Sequence, residues 1–149
     1  MKPITAIVPD FREALDDGLK EAVGGIVKDL QEKGPYWTGQ FANLWKVNPG
    51  KQAIKPLYPA ISPTPRRPIR PKQFQTVDIP ESPNLGGYRI GNEARYRLFA
   101  MDLVPTPRGR QGGKAPNATA MENWFTTYYN SQIGRRINTE LMSVFRRYK

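Results

Sequence analysis

The chain has no cysteine and no histidine. Without cysteine there is no disulfide and no thiolate metal site. Without histidine the chain lacks the commonest general base and the commonest metal ligand, and with them every Ser-His-Asp or Cys-His arrangement. Asp, Glu, Lys and Tyr remain for acid–base work, but no paired-carboxylate constellation can be assigned. The sequence reads as non-enzymatic, with no metal and no cofactor expected. Long apolar runs are missing too, since none approaches the roughly 20 residues a membrane-spanning helix needs. The apolar stretch within the first ten residues is too short for a signal peptide. The expectation is a soluble protein, intracellular where it is made, with no membrane partner. Acid is also in short supply: 23 Lys and Arg face 13 Asp and Glu, a formal charge of +10 over 149 residues. That excess favours a polyanionic partner, such as DNA, RNA or an acidic protein surface, over a basic surface that serves only solubility.

The acid that is present is concentrated. Residues 10–33 hold seven acids (Asp10, Glu13, Asp16, Asp17, Glu21, Asp29, Glu32) against four bases, whereas residues 34–149 hold 18 bases and six acids. Such asymmetry suits head-to-tail contact between copies of one chain, and equally an acidic helix that faces water. The same residues carry the clearest helix pattern. Asp10 can cap it, with Glu13 at capping-box spacing. Phe11, Leu15, Leu19, Val23 (or Ala22), Ile26 and Leu30 form one apolar stripe. Gly24-Gly25 weakens the middle by about 1 kcal/mol per glycine, which points to close packing or to a bend.

Gly34-Pro35 then stops the helix, and Thr38-Gly39 marks a second turn. Residues 41–47 alternate as a strand would, ending at Asn48-Pro49-Gly50. Nine prolines fall between residues 49 and 83, which excludes regular helix and central strands. Within that stretch Ser62 to Lys72 favours an extended polyproline conformation, and Gln73 to Ile79 reads as a short strand. The expectation is a single domain over 1–149, with 49–83 as a Pro-rich extended arm or loop between strands. Gly86-Gly87 marks a turn, Tyr88 to Asn92 a strand end, and Glu93 to Val104 either a short helix or a strand. Residues 105–118 form a second, basic loop. A second long helix is expected from Thr119, in a capping box with Glu122, to Arg147. Its apolar face is Met121, Trp124, Phe125, Tyr128, Ile133, Ile137, Leu141, Val144 (or Phe145) and Tyr148. The fold class is α+β, a small antiparallel sheet packed against the two helices.

Candidate sites are modest. Gly109 to Lys114 does not fit a phosphate-binding loop, because Arg108 stands where the first glycine belongs and Ala115 follows the lysine. Arg108, Arg110 and Lys114 instead make a cationic loop that could touch phosphate backbone. Arg66, Arg67, Arg70 and Lys72 lie on a proline-stiffened segment that suits DNA, an acidic protein, or plain solvation. Trp124, Phe125, Tyr128 and Tyr129 could stack on bases, but at helical spacing they read as core or subunit interface. Trp37 and Trp45 join Trp124 and Tyr128 as interface candidates. Asp16-Asp17 reads as surface, and Asn117-Ala118-Thr119 as a chance sequon.

The order of these segments resembles a family of small neck and tail-completion proteins of tailed bacteriophages, which join the DNA-filled head to the tail. The residues that carry the resemblance are Gly34-Pro35-Tyr36-Trp37-Thr38-Gly39 with Phe41 and Leu44. After them come Ile90-Gly91-Asn92 with Tyr96, and then the helix from Thr119. The chain departs from the family pattern at Trp37, where Asp is usual before Thr-Gly, and in the length of the Pro-rich stretch. The resemblance implies a virion structural protein that forms a ring of six copies, or twelve near the portal, around the DNA channel. Its partners would be itself, neighbouring connector and tail proteins, and packaged DNA through non-specific contacts. Loss of residues 55–75 should then abolish assembly and leave the fold intact. The alternative is a free basic nucleic-acid-binding protein.

Overall fold

A computed structural model of the protein describes residues 4–36, 38–57, 69–82, 86–103, 120–121 and 123–147. The architecture is α+β. Helix α1 spans Ile4–Lys33 and a 3-10 turn spans Ala42–Leu44; strands β1 (Trp45–Pro49) and β2 (Tyr88–Asn92) pair antiparallel. Three helices follow: α2 (Arg97–Ala100), α3 (Trp124–Ser131) and α4 (Ile133–Arg147).

Helix α1 begins six residues before the expected cap, with Pro9 inside it. Pro9 removes one backbone donor close to the helix start and does not end the helix. Two faces of α1 are used differently. Val23, Ile26, Val27 and Leu30 enter the main core with Phe41, Trp45, Val47, Ala94, Met101, Trp124 and Tyr128. Ala14, Gly18, Ala22 and Gly25 form a small-residue stripe on which α4 lies. A Cβ on Gly18 would sit 3.0 Å from Leu141 Cδ2, and one on Gly25 would sit 3.0 Å from Arg136 Cδ. Of the paired glycines, then, Gly25 serves close packing, while Gly24 has nothing within 4 Å. Phe11, expected on the apolar stripe, is 51% exposed and stacks on Phe145 with ring centroids 5.5 Å apart.

The expected strand at 41–47 begins later. The Asn43 N–H donates to Gly39 O, and the Leu44 N–H to Phe41 O. This winds Ala42–Leu44 into a helical turn before β1 starts at Trp45. Gly39 sets it up with φ +85°, a left-handed conformation that costs glycine little. Asn92, fully buried, locks the turn to the sheet: its Nδ2 donates to Phe41 O at 2.8 Å and its Oδ1 accepts from Ala94 N at 2.9 Å. Residues 73–79, expected as a strand, join no ladder.

The expected C-terminal helix is broken at Gln132. Ser131 Oγ donates back to Thr127 O, a bond that bends helices, and Gly134 follows. The break lets α3 point Trp124 and Tyr128 into the core while α4 runs along α1. The capping pair Thr119 and Glu122 lies outside the described residues. The described start is Asn123, in the left-handed region at φ 55°, its N–H held by Asp102 Oδ2 at 2.9 Å. Met121 is 81% exposed and is no part of the apolar face.

Candidate functional site

The Pro-rich stretch is held to the body at two places, both at the same end of the sheet. On the outgoing side the Leu57 N–H donates to Glu93 O at 2.8 Å. Glu93 in turn donates its N–H to Leu44 O at 2.9 Å. On the returning side, next to Leu44, the Asn43 amide grips two residues. Its Oδ1 accepts from Gln75 N at 2.8 Å and its Nδ2 donates to Gln73 O at 3.4 Å. The buried Tyr36 hydroxyl accepts from Gln73 N at 2.9 Å and lies 3.3 Å from Gln73 O. Gln31 Nε2, from the last turns of α1, donates to Gln75 O at 2.9 Å. Three side chains thus serve the backbone of alternate residues, 73 and 75, as a neighbouring strand would. Farther along, Val77 and Ile79 pack against the core. The held residues narrow the arm to 58–68, which lies outside the described residues. The 55–75 deletion would therefore remove body contacts at Leu57, Gln73 and Gln75, and is not a clean test of the arm.

Arg70 and Lys72 sit at the returning root, with Lys72 Nζ 5.7 Å from the Tyr36 ring centroid. Arg66, Arg67, Arg108, Arg110, Lys114 and Trp37 lie outside the described residues. Trp45, Trp124 and Tyr128 are buried in the core of their own chain. That burial leaves little of their surface for a neighbour. Trp124 Nε1 donates to Ala100 O at 2.8 Å, whereas Trp45 Nε1 is buried with no partner among the described residues.

The +10 chain does not spread its charge evenly over the described surface. Arg136 pairs with Asp29 at 2.8 Å, Arg147 with Glu21 at 2.8 Å, Lys46 with Glu93 at 3.0 Å, and Lys20 with Glu81. Three of these pairs join α1 to α4 or to residue 81, and two of them use acids of the helix, Glu21 and Asp29. The best-buried pair is a small network. Tyr128 OH donates to Asp29 Oδ2 at 2.8 Å, and Arg136 reaches both Asp29 oxygens. Burial raises the Asp29 carboxyl, but the Arg136 and Tyr128 hydrogen bonds outweigh it and hold it below its ordinary value. Burial and the Asp29 carboxylate push the Tyr128 phenol well above its usual range.

Two hollows adjoin the sheet. An apolar groove of about 330 Å³ lies between α1, the sheet and α3–α4, with Leu19, Tyr88, Phe125, Tyr129 and Ile137 among its walls. A cleft of about 340 Å³ runs between β1 and residues 76–80. Among the described residues no three Asp or Glu side chains stand together as a metal site, and no helix is long and apolar enough to cross a membrane.

Sequence reasoning picked out the stretch from Gly34 to Trp45 but missed the use made of Gln31, Tyr36 and Asn43. Spacing gives no sign that Asn43 reads the backbone of residues about thirty positions away. Comparison with protein-family models, with curated proteins and with solved structures finds no match to this chain.

Proposed function

We propose that the chain is a structural subunit of a tailed-bacteriophage neck, a virion protein that forms a ring joining head and tail around the DNA channel. The observation that carries this reading is the doubly anchored arm. A body that commits Gln31, Tyr36 and Asn43 to holding the root of a proline-rich, cation-bearing segment at one end of its sheet is suited to presenting that segment to a neighbour. The segment order adds support: a long helix, the Gly34 to Gly39 turn, two strands with Asn92 between turn and sheet, and a C-terminal helix pair. The partners are further copies of the chain, in six or twelve per ring, together with adjoining connector and tail proteins. Arg66, Arg67, Arg70, Lys72, Arg108, Arg110 and Lys114 offset phosphate charge without reading sequence. Nothing in that task calls for a reacting group.

The test is the mass of the full chain by light scattering at low and moderate salt, with and without duplex DNA, and electron microscopy of any assembly. A closed ring with weak, salt-sensitive DNA binding supports the reading. A persistent monomer that binds DNA or RNA tightly at physiological salt overturns it in favour of a free nucleic-acid-binding protein.

A further inference from the structure

We propose that the outer edge of β1 is a strand-acceptor site, and that its occupant is residues 62–66 of a second copy of this chain. The inference rests on the ring reading and names the joint between its subunits.

The hydrogen-bond parity of the sheet defines the edge. Gly50 donates its N–H to Gly87 O at 2.8 Å, and Glu93 donates to Leu44 O at 2.9 Å. With Trp45 opposite Asn92 and Val47 opposite Ile90, the even-numbered residues turn their backbone groups toward β2. Trp45 and Val47 turn theirs the other way. On that side no backbone hydrogen bond reaches Val47 among the described residues. Val47 is nonetheless buried. Buried backbone groups in native proteins are nearly always paired, so this edge is short of a partner. Pro49, also odd-numbered, has no N–H to present there.

The nearest chain on that side does not supply the partner. Residues 76–80 run alongside, Val77 and Ile79 inward and Thr76 and Asp78 outward, yet they form no ladder. The cleft of about 340 Å³ lies between them and β1. An edge with unpaired groups is a template for an added strand.

Ser62-Pro63-Thr64-Pro65-Arg66 has the pattern such a strand needs. Successive residues of a strand turn their N–H groups to opposite edges. Pro63 and Pro65 blank one edge, and Ser62, Thr64 and Arg66 keep their N–H groups on the other. The segment can pair on one side only, so it completes an edge without offering a new one, and addition stops at one strand per site. Charge agrees. Asp78 lines the cleft, where Lys46 is already paired with Glu93, and the incoming segment brings Arg66. A second copy is favoured because the chain's own arm starts elsewhere. Leu57 and Ile69, which flank it, are half exposed, and neither Leu57 nor residues 69–75 line the cleft.

The chain has no cysteine, so single thiols report cleanly. Lys46→Cys and Thr64→Cys proteins, one carrying a larger tag, are mixed and oxidised. In parallel, wild type, Thr64→Pro and Arg67→Pro are compared by light scattering, with circular dichroism to confirm that each body is folded. Thr64→Pro removes a pairing N–H and no charge, whereas Arg67→Pro removes an N–H on the edge that is already blank. The expected result is a mixed disulfide between the two cysteine proteins. Thr64→Pro falls to the 16.9 kDa monomer, while Arg67→Pro assembles like wild type. If all three form the same ring, the strand-acceptor assignment falls and the ring reading stands. If wild type stays monomeric and no mixed disulfide forms, the strand-acceptor assignment falls, and tight DNA or RNA binding by that monomer overturns the ring reading as well. A disulfide that forms only inside a Lys46→Cys/Thr64→Cys double variant shows the arm on its own edge and overturns the second copy as occupant.

Discussion

Asp29 makes two different contacts from one carboxylate, to the Tyr128 hydroxyl and to the Arg136 guanidinium, and Gly25 makes the second possible. Without a side chain at Gly25, one turn earlier on α1, the Arg136 stem can cross the helix to reach Asp29. Asp29→Ala leaves Arg136 and the buried Tyr128 hydroxyl without their acceptor and should cost about 2 kcal/mol in urea unfolding. The pH dependence follows from the sign of the shift. The folded Asp29 pKa is depressed, so its contribution is present above the unfolded value near 4. It is lost as pH falls through the lower folded value. Asp29→Asn should therefore flatten the acid limb of stability against pH, and an unchanged limb would show that the network is not coupled to folding. The glycines of α1 give a second residue-scale test. Gly24→Ala meets nothing within 4 Å and should stabilise by about 0.5–1 kcal/mol through helix propensity. Gly18→Val forces its branches into Leu141 and Val144 and should cost about 1–3 kcal/mol. Thermal unfolding of the pair reads opposite signs only if α4 lies on that stripe.

At the scale of elements, the strongly periodic pieces were legible and the junctions were not. The α1 stripe from Ala22 to Leu30 and the aromatic run Trp124, Phe125, Tyr128 follow from spacing, because one face of each helix is buried. The start of α1 was misread because Asp10 after Pro9 looks like a cap. Residues 41–44 alternate on paper as a strand, but the Gly39 turn winds them into a helix. The break at Gln132 has no proline to announce it. Residues 73–79 have strand-like alternation that buries Val77 and Ile79, yet pairing depends on a neighbour that sequence does not reveal. The clamp was the least legible part, because it joins residues 30 or more positions apart through side-chain amides and one phenol. It is also the most easily tested. Asn43→Ala removes two bonds to residues 73 and 75, each worth about 1 kcal/mol. Amide exchange at Gln75 should speed up several-fold while the α1 core amides keep their protection. Equal loss in both places would mean that the clamp and the core open as one unit.

For the whole molecule, the two anchors of the arm matter most because of where they are. Both stand around the Leu44–Glu93 corner, Leu57 on Glu93 and Gln73 and Gln75 on Asn43 beside Leu44. Replacing residues 58–68 by an equal length of Gly and Ser should leave the melting temperature close to wild type while abolishing assembly. Retained assembly would move the joint to another surface. Closing a flexible loop grows dearer only slowly with length, by about 0.6 kcal/mol for each doubling. An insert of eleven further residues in the middle of the arm should therefore lower stability by no more than about that amount. With both ends held by the body at Leu57, Gln73 and Gln75, this corner is a natural graft point. Tags, epitopes or recognition segments of very different size could be carried there without redesigning the rest of the chain.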